Sequence, residues 1–342
     1  MAATRLLVTG SEGYIGSVLV PLLLGNGYDM IGIDSYFFPL NGDRLSTTPY
    51  RRVQKDIRDL KLEDFAGVEH LVHLAALSND PLGEINPKLT EEINHHATLR
   101  LARLAKAAGV RRSVFASSCS VYGSQEGLLD ETAPVQPLSA YARSKAAAEA
   151  ELLNLASETF SPIVLRNATV YGPSPNMRSD LVLNNLISLA HLTGLVKLMS
   201  DGRAWRPMVH VIDVASAILL CLKRPIEALH AQIFNIGFND QNYQIRKLAS
   251  EIHRVFPDFR ISITDWNHDK RSYRVDFSKA KKYLDLVPKK TVGDGIKEVI
   301  RLFKTRRVSY EQLFGEDYVR LERLQSLLSQ RLLDEKLRWV QK

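Results

Sequence analysis

The chain has 342 residues, 45% of them hydrophobic, enough for one large or two medium domains with a substantial core. A charged fraction of 24% excludes wholesale disorder, and 45 basic against 38 acidic residues give a net charge of +7. The basic residues are scattered, with no long run interleaved with aromatics, which excludes a nucleic-acid surface and suits a small anionic ligand. Two distant cysteines, Cys119 and Cys221, make neither a disulfide framework nor a zinc cluster. The first apolar run begins near Leu6, with no room for a leader before it, and no apolar stretch reaches the ~18 residues of a membrane span. These features lead us to expect a cytoplasmic protein with no membrane partner.

In chain order, Arg5 to Thr9 reads as a buried strand and Ile15 to Leu24 as a helix. Met30 to Ile33 and His70 to Ala76 are further strands. Lys88 to Ala108 is helical and stops at Gly109, and Ser113 to Ser117 is the next strand. An Ala-rich helix over Tyr141 to Ser157 leads to a strand at Pro162 to Arg166. This alternation predicts a Rossmann-type α/β fold with a doubly wound parallel sheet, followed by a smaller mixed α/β substrate domain. We place the dinucleotide-binding domain at residues 1–172 and the mainly substrate-binding part at 173–342, with the segments about 206–237 (a helix at 210–223 and a strand at 232–236) rejoining the first domain. The tail from Tyr318 to Val340 carries Leu321, Leu324, Leu328 and Leu332 at helical spacing. It reads as an amphipathic helix packed on its own chain, with a partner-binding or dimer helix as the alternative.

Residues 9–16 read Thr-Gly-Ser-Glu-Gly-Tyr-Ile-Gly, after a strand and at the opening of a helix. In that context Gly10 permits a tight turn, Gly13 lets the backbone approach a pyrophosphate, and Gly16 lets helix and strand pack closely. The helix N-terminus at Tyr14 and Ile15 presents N–H groups to the phosphates. Asp34 ends the second strand, 18 residues after Gly16, and no arginine follows at 35 or 36. A carboxylate there accepts bonds from both ribose hydroxyls of NAD and repels the 2′-phosphate of NADP, so NAD is the expected cofactor.

Several further segments carry a resemblance. Tyr141-Ala-Arg-Ser-Lys145 is a YxxxK element, Ser117 to Gly123 resembles an SSxxVYG segment, and His73 to Ala76 an HxAA strand end. Asp56-Ile57 is similar to an adenine-binding pair. Arg206 to Val214 resembles RxxxHVxDV, and Arg271 to Lys279 a late substrate-domain motif. With the GxxGxxG spacing, these segments resemble the extended short-chain dehydrogenase/reductase family of nucleotide-sugar epimerases, dehydratases, decarboxylases and reductases. The resemblance implies NAD contacts at Leu74, Ala75, Ala76, Asn94, Ser117 and Asn167, besides Tyr141 and Lys145. It implies contacts to a nucleotide-diphosphate sugar at Ser78, Ser118, Thr169, Asn185, Arg206 and Arg271. Thr169 stands where related sequences place an asparagine, which here comes earlier, at Asn167. The resemblance also implies a homodimer built on the helices near 88–108 and 141–159, whose apolar faces would otherwise meet water.

Tyr141 and Lys145 are four apart on a helix and share a face. A lysine ammonium one turn away, with the nicotinamide charge, favours the phenolate, so that Tyr141 can take a proton from a sugar hydroxyl. Ser118 is the third member expected from the family, with Ser117 a weaker candidate. Elimination of water needs an extra acid and base; in 4,6-dehydratases an Asp-Glu pair follows the catalytic hydroxyl residue, and in decarboxylases a glutamate holds the second position. Here the two residues are Cys119 and Ser120. The leading expectation is a C4 epimerase acting through a transient 4-keto sugar, with a 4-dehydrogenase or 4-ketoreductase next and a 4,6-dehydratase disfavoured. A non-catalytic NAD-sensing regulator is the reading from another class, and Tyr141 with Lys145 argues against it. Cys119 is either a small residue behind the nicotinamide or a weak catalytic acid. His95-His96 lacks the partners of a metal site, so none is expected; His210 reads as a structural hydrogen-bonding residue and Cys221 as core. Asp34→Ala is expected to weaken NAD and to relax discrimination against NADP, measured by titrating both cofactors; a wild type that prefers NADP overturns this reading of the second strand.

Overall fold

The computed structural model describes residues 3–38, 49–264 and 271–340. In chain order its strands are β1 (Arg5–Thr9), β2 (Asp29–Asp34), β3 (Arg51–Gln54), β4 (His70–His73), β5 (Arg112–Ser118), β6 (Ser124–Leu129) and β7 (Ser161–Asn167). They continue with β8 (Thr169–Tyr171), β9 (Leu195–Leu198), β10 (Trp205–His210), β11 (Ile233–Ile236), β12 (Asn242–Gln244), β13 (Arg260–Ile263) and β14 (Ser272–Val275). Seven of them form one parallel sheet in the order β11-β7-β5-β4-β1-β2-β3, the doubly wound α/β arrangement expected. The chain winds outward from β1 through β2 to β3, then returns to the other side of β1 as β4. That reversal opens a crevice at the carboxyl ends of β1 and β4, where ligands of such sheets bind. Three small sheets, β12-β10-β8, β13-β9 and β14-β6, stand beside the large one.

Alternation along β1 sends Leu6 and Val8 to one face and Leu7 to the other. Leu6 and Val8 pack with Leu19 and Leu23 of helix Gly16–Leu24 and with Val214 and Ile218 of helix Val211–Lys223. On the opposite face Leu7 joins a cluster with Leu101 of helix Ala97–Ala107 and Ala148 and Leu152 of helix Ala140–Asn154. A third cluster, around Ile187, Leu248, Ile296 and Phe303, forms the core of the later part of the chain.

The structure departs from the sequence reading in places with a physical cause. The β4 strand stops at His73, because Leu74 to Ala76 turn across the end of β1, where Leu74 N–H donates to Thr9 O. The edge strand β3 reads Arg-Arg-Val-Gln and lacks the apolar run that marks a buried strand. The helix expected over 88–108 is interrupted by a π turn at Glu92–His96, where the buried Asn94 reaches out to Leu77 and Ser144. The tail forms helix Arg320–Ser329 and then a short turn-back, and it packs on its own chain: Leu324, Leu327, Leu333 and Leu337 are buried in the same cluster as Leu7. On the helices expected to pair, Leu104 of Ala97–Ala107 and Leu153 of Ala140–Asn154 are partly exposed. Among the described residues no helix is long and apolar enough to cross a membrane.

His73 ties β4 to its neighbours. Its Nδ1 lies 2.6 Å from Thr9 Oγ1 and its Nε2 2.8 Å from Thr98 Oγ1. Thr98 donates its own proton to Asn94 O, so it must accept from His73, which fixes the neutral Nε2–H tautomer. Burial, helped by the Lys145 charge, pushes the imidazole down to about 3. The unfolded chain takes up a proton near pH 6.5 that the folded chain refuses, so this group withdraws stability as pH falls below that value. Nitrogen NMR between pH 7 and 5 is expected to find His73 untitrated in the Nε2–H form; a protonation midpoint above pH 5 overturns the assignment.

Candidate active site

A cleft of about 390 Å³ opens at the carboxyl ends of the central strands. The glycine turn forms its floor. Gly10, at φ +72°, hydrogen-bonds through its N–H to Ile33 O, and a Cβ on it would lie 2.8 Å from the Ala75 nitrogen. A Cβ on Gly16 would collide with Gly10 O, so the helix at Gly16–Leu24 can start only this close to β1 if the residue is glycine. Ile15 at its N-cap offers no side-chain acceptor; Ser17 N–H is taken by Gly13 O at 2.9 Å and Val18 N–H by Ile15 O at 3.1 Å, and the positive end of the helix faces the cleft. Gly13, Tyr14 and Ile15 line the cleft with Gly10 and Gly16. Asp34 sits at its edge, accepting from Glu12 N at 3.0 Å and Tyr36 N at 2.9 Å. Each carboxylate oxygen keeps a further lone pair, and burial pushes the carboxyl up. Asp56 and Ile57 lie at the far end, with Leu74, Ala75 and Ala76 between. Asn167 donates to Ser117 O at 3.2 Å while its buried Oδ1 has no protein partner. A phosphate-binding turn, a ribose-binding carboxylate and an unsatisfied carbonyl in one groove fit a dinucleotide.

Ser118, Tyr141 and Lys145 meet in this cleft. The Ser118 hydroxyl hydrogen-bonds the Tyr141 phenol, and Ser118 also accepts from Ser120 N at 3.1 Å. Desolvation, then the Asp80 charge, pushes Tyr141 up to about 12, against smaller downward pulls from Ser118 and Arg178. Lys145 Nζ donates to Ala116 O at 2.8 Å and lies 6.0 Å from the Tyr141 ring centre, and burial outweighs it at the phenol. Burial brings Lys145 itself down to about 7, with the Glu149 charge opposing. Glu149 is paired with Arg166 at 2.8 Å, both nearly buried, and accepts from Ser117 Oγ. Arg166 reaches Tyr122 Oη at 3.0 Å, so a buried charged network stands directly behind the lysine.

The substrate side is equally specific. Arg206 and Arg271 line it; Arg206 donates to Trp205 O at 2.8 Å, and Arg271 is ion-paired with Asp80. Thr169 and Ser78 also line it, and Ser78 accepts from Arg178 at 2.9 Å. Three expected residues are placed elsewhere. Cys119 is fully buried, turned away from the cleft, and donates its thiol proton to Arg166 O at 3.2 Å; burial pushes the thiol up, so it is no acid for a sugar carbon. Asn94 is buried behind the wall, clamping Leu77 N at 2.8 Å and Leu77 O at 3.0 Å, and so shapes the cleft without lining it. Asn185 does not line it either; its neighbour Asn184 holds Gly172 N and Arg178 O. Glu91, His95 and His96 bring ligand atoms within 4.8 Å of one another, a cluster outside the cleft in which His95 Nε2 is engaged by Glu151 at 2.7 Å. His210 caps its helix through Nδ1, and Cys221 is core.

Sequence reasoning missed Arg178, Asp180, Asp80 and Arg320, all on the cleft wall. Arg178 and Asp180 are paired at 2.8 Å in an irregular loop, and Asp80 begins a short helix, so no periodicity announces them. Arg320 arrives from the tail helix, 142 residues after Arg178, and its guanidinium lies 4.2 Å from the Phe38 ring centre.

The family model described as the NAD dependent epimerase/dehydratase family matches residues 6–237, and the chain belongs to that NAD-dependent family. UDP-glucose 4-epimerase of Mycolicibacterium smegmatis is 31% identical over 88% of this chain and 99% of its own length. Human dTDP-D-glucose 4,6-dehydratase is 28% identical over 75% of each chain. Among solved structures, MoeE5 in complex with UDP-glucuronic acid and NAD superposes with a TM-score of 0.78 at 30% identity, covering 89% of this chain and 100% of that one. Glu149→Gln leaves the Arg166 charge buried and unmatched, and is expected to cost about 3–5 kcal/mol of stability in urea denaturation; a loss below about 1 kcal/mol overturns the view of this pair as an isolated buried network.

Proposed function

We propose that this chain is a nucleotide-sugar epimerase acting at C4 through a transient 4-keto sugar, with residues 1–172 mainly holding NAD and 173–342 mainly holding substrate. One observation carries the choice among the family's reactions. Of the two residues after Ser118, Cys119 faces away from the cleft, and Ser120 lines it with a buried hydroxyl that has no protein partner. Neither supplies the carboxylate that eliminating water requires. Two carboxylates on the cleft wall are committed: Asp80 to Arg271 and Ser139, Asp180 to Arg178.

Gly10 to Gly16 would hold the pyrophosphate of NAD, Asp34 its adenosine ribose, and Lys145 and Asn167 its nicotinamide end. When bound, NAD supplies a reversible two-electron oxidation of one sugar carbon and a positive charge beside Tyr141. Ser118 orients the 4-hydroxyl, and Tyr141 takes its proton and later returns one to the oxygen. Arg206 and Arg271 grip the diphosphate through planar donor forks, leaving the sugar free to present either face. A homodimer belongs to this proposal on the resemblance alone.

The test is a panel of UDP-, GDP-, CDP- and dTDP-sugars in deuterated water, read by NMR and mass spectrometry. The expected product has unchanged mass, inverted C4 and no deuterium at C4, with no net NADH, and Tyr141→Phe slows it about a hundred- to ten-thousand-fold. Loss of water replaces the epimerase by a dehydratase, and accumulating NADH replaces it by a 4-dehydrogenase.

A further inference from the structure

The cofactor-binding half of this protein is completed by residues far from it in sequence. Helix Arg320–Ser329 is anchored by Leu324 and Leu327, both essentially inaccessible to solvent, and the chain then turns back at Arg331, whose φ is +55°. Residues 332–340 form a tight hairpin, with Leu333 bridged to Trp339 and Val340 N–H donating to Leu332 O at 3.0 Å.

The contacts of this segment fall on one region. Trp339 Nε1 donates to Ser35 O at 2.7 Å, immediately after Asp34, and its ring lies 5.9 Å from that of Phe37. Arg338 pairs with Asp59 and, at 3.4 Å, with Asp56. Arg58 donates to Lys336 O at 2.9 Å, and Arg323 to Phe37 O at 3.1 Å. Ser35, Phe37, Phe38 and Asp56 all line the cleft at its Asp34 end, and Arg320 joins them. The solved relative MoeE5 is covered in full by 89% of this chain, so about a tenth of this protein has no counterpart in it.

We propose that residues 320–340 are a strap across the adenosine end of the cofactor cleft, so that NAD exchanges only when the 331–340 hairpin lifts. The proposal rests on the reading of this cleft as the NAD site. The buried leucines make the helix a fixed root. The hairpin is held by a few hydrogen bonds, ion pairs and one half-exposed indole, each of modest strength in water, and by the buried Leu333 and Leu337, so it opens rarely and as a unit. The hairpin itself does not line the cleft; it ties together the rim residues Ser35, Phe37 and Asp56 on either side of a dinucleotide lying between Asp34 and Asp56, and loosening that tie would set the rate of departure. The cofactor of an epimerase is restored in each turnover, so slow exchange costs the reaction nothing.

The holoenzyme is loaded with NAD and chased with excess isotopically labelled NAD, and the bound cofactor is weighed by mass spectrometry over time. Trp339→Ala and Arg338→Ala are expected to speed exchange about ten-fold, the effect of losing one or two such contacts. Trp339→Phe, which keeps a ring beside Phe37 and loses the donor, falls between, and Tyr310→Ala, exposed outside the strap, matches wild type. Circular dichroism confirms that each variant is folded. Exchange at the wild-type rate in both Trp339→Ala and Arg338→Ala overturns the strap while leaving the cleft an NAD site. A wild type that retains no NAD overturns the reading of the cleft, and the strap with it.

Discussion

The backbone at Gly10 passes so close to Ala75 that a single added carbon would lie 2.8 Å from its nitrogen. That approach lets the chain leave β1, turn tightly and enter a helix, all beside the strand that returns on its other side. It places the helix N-terminus over the crevice, puts Asp34 within reach of the same crevice, and brings Leu74 to Ala76 across it as a wall. The reacting groups use the same geometry: Ser118 and Asn167 end β5, which pairs with β4, and β7, which pairs with β5, so their polar ends emerge on the same rim.

Desolvation dominates the chemistry of that rim. It drives Tyr141 and Lys145 apart from nearly equal ordinary values, the phenol up to about 12 and the amine down to about 7. Their proximity alone would predict the opposite sign for both. The paired Glu149 and Arg166 behind them keep the lysine from falling further, because Glu149 is the charge that opposes its burial. A bound positive ring therefore has a large effect available to it: in a dry site, one charge weighs more than in water.

How much of this was legible in sequence depends on whether a residue's role is local. The glycine turn, Asp34 and the Tyr141–Lys145 pair each announce themselves through spacing along one element, and the parallel sheet follows from strands alternating with helices. Cys119 shows the limit: it sits beside Ser118 in sequence, but the turn at Cys119–Tyr122 sends its thiol inward and Ser120 toward the cleft. Asn94 misled differently, since its side chain is spent on Leu77. Arg178, Asp180 and Arg320 were invisible because they converge from a loop and a distant helix, and no periodicity encodes convergence.

The π turn at Glu92–His96 has a consequence for which changes this segment can absorb. Its extra residue is what allows Asn94 to hold Leu77 while Thr98, one turn on, still accepts from His73. Regularising the turn to ordinary helix at unchanged length would rotate everything after it by about 100°. Thr98 would swing off His73, and the apolar stripe of Leu101 and Ala105 would leave the sheet. The segment therefore tolerates exchange of side chains far better than a change in the winding of its backbone.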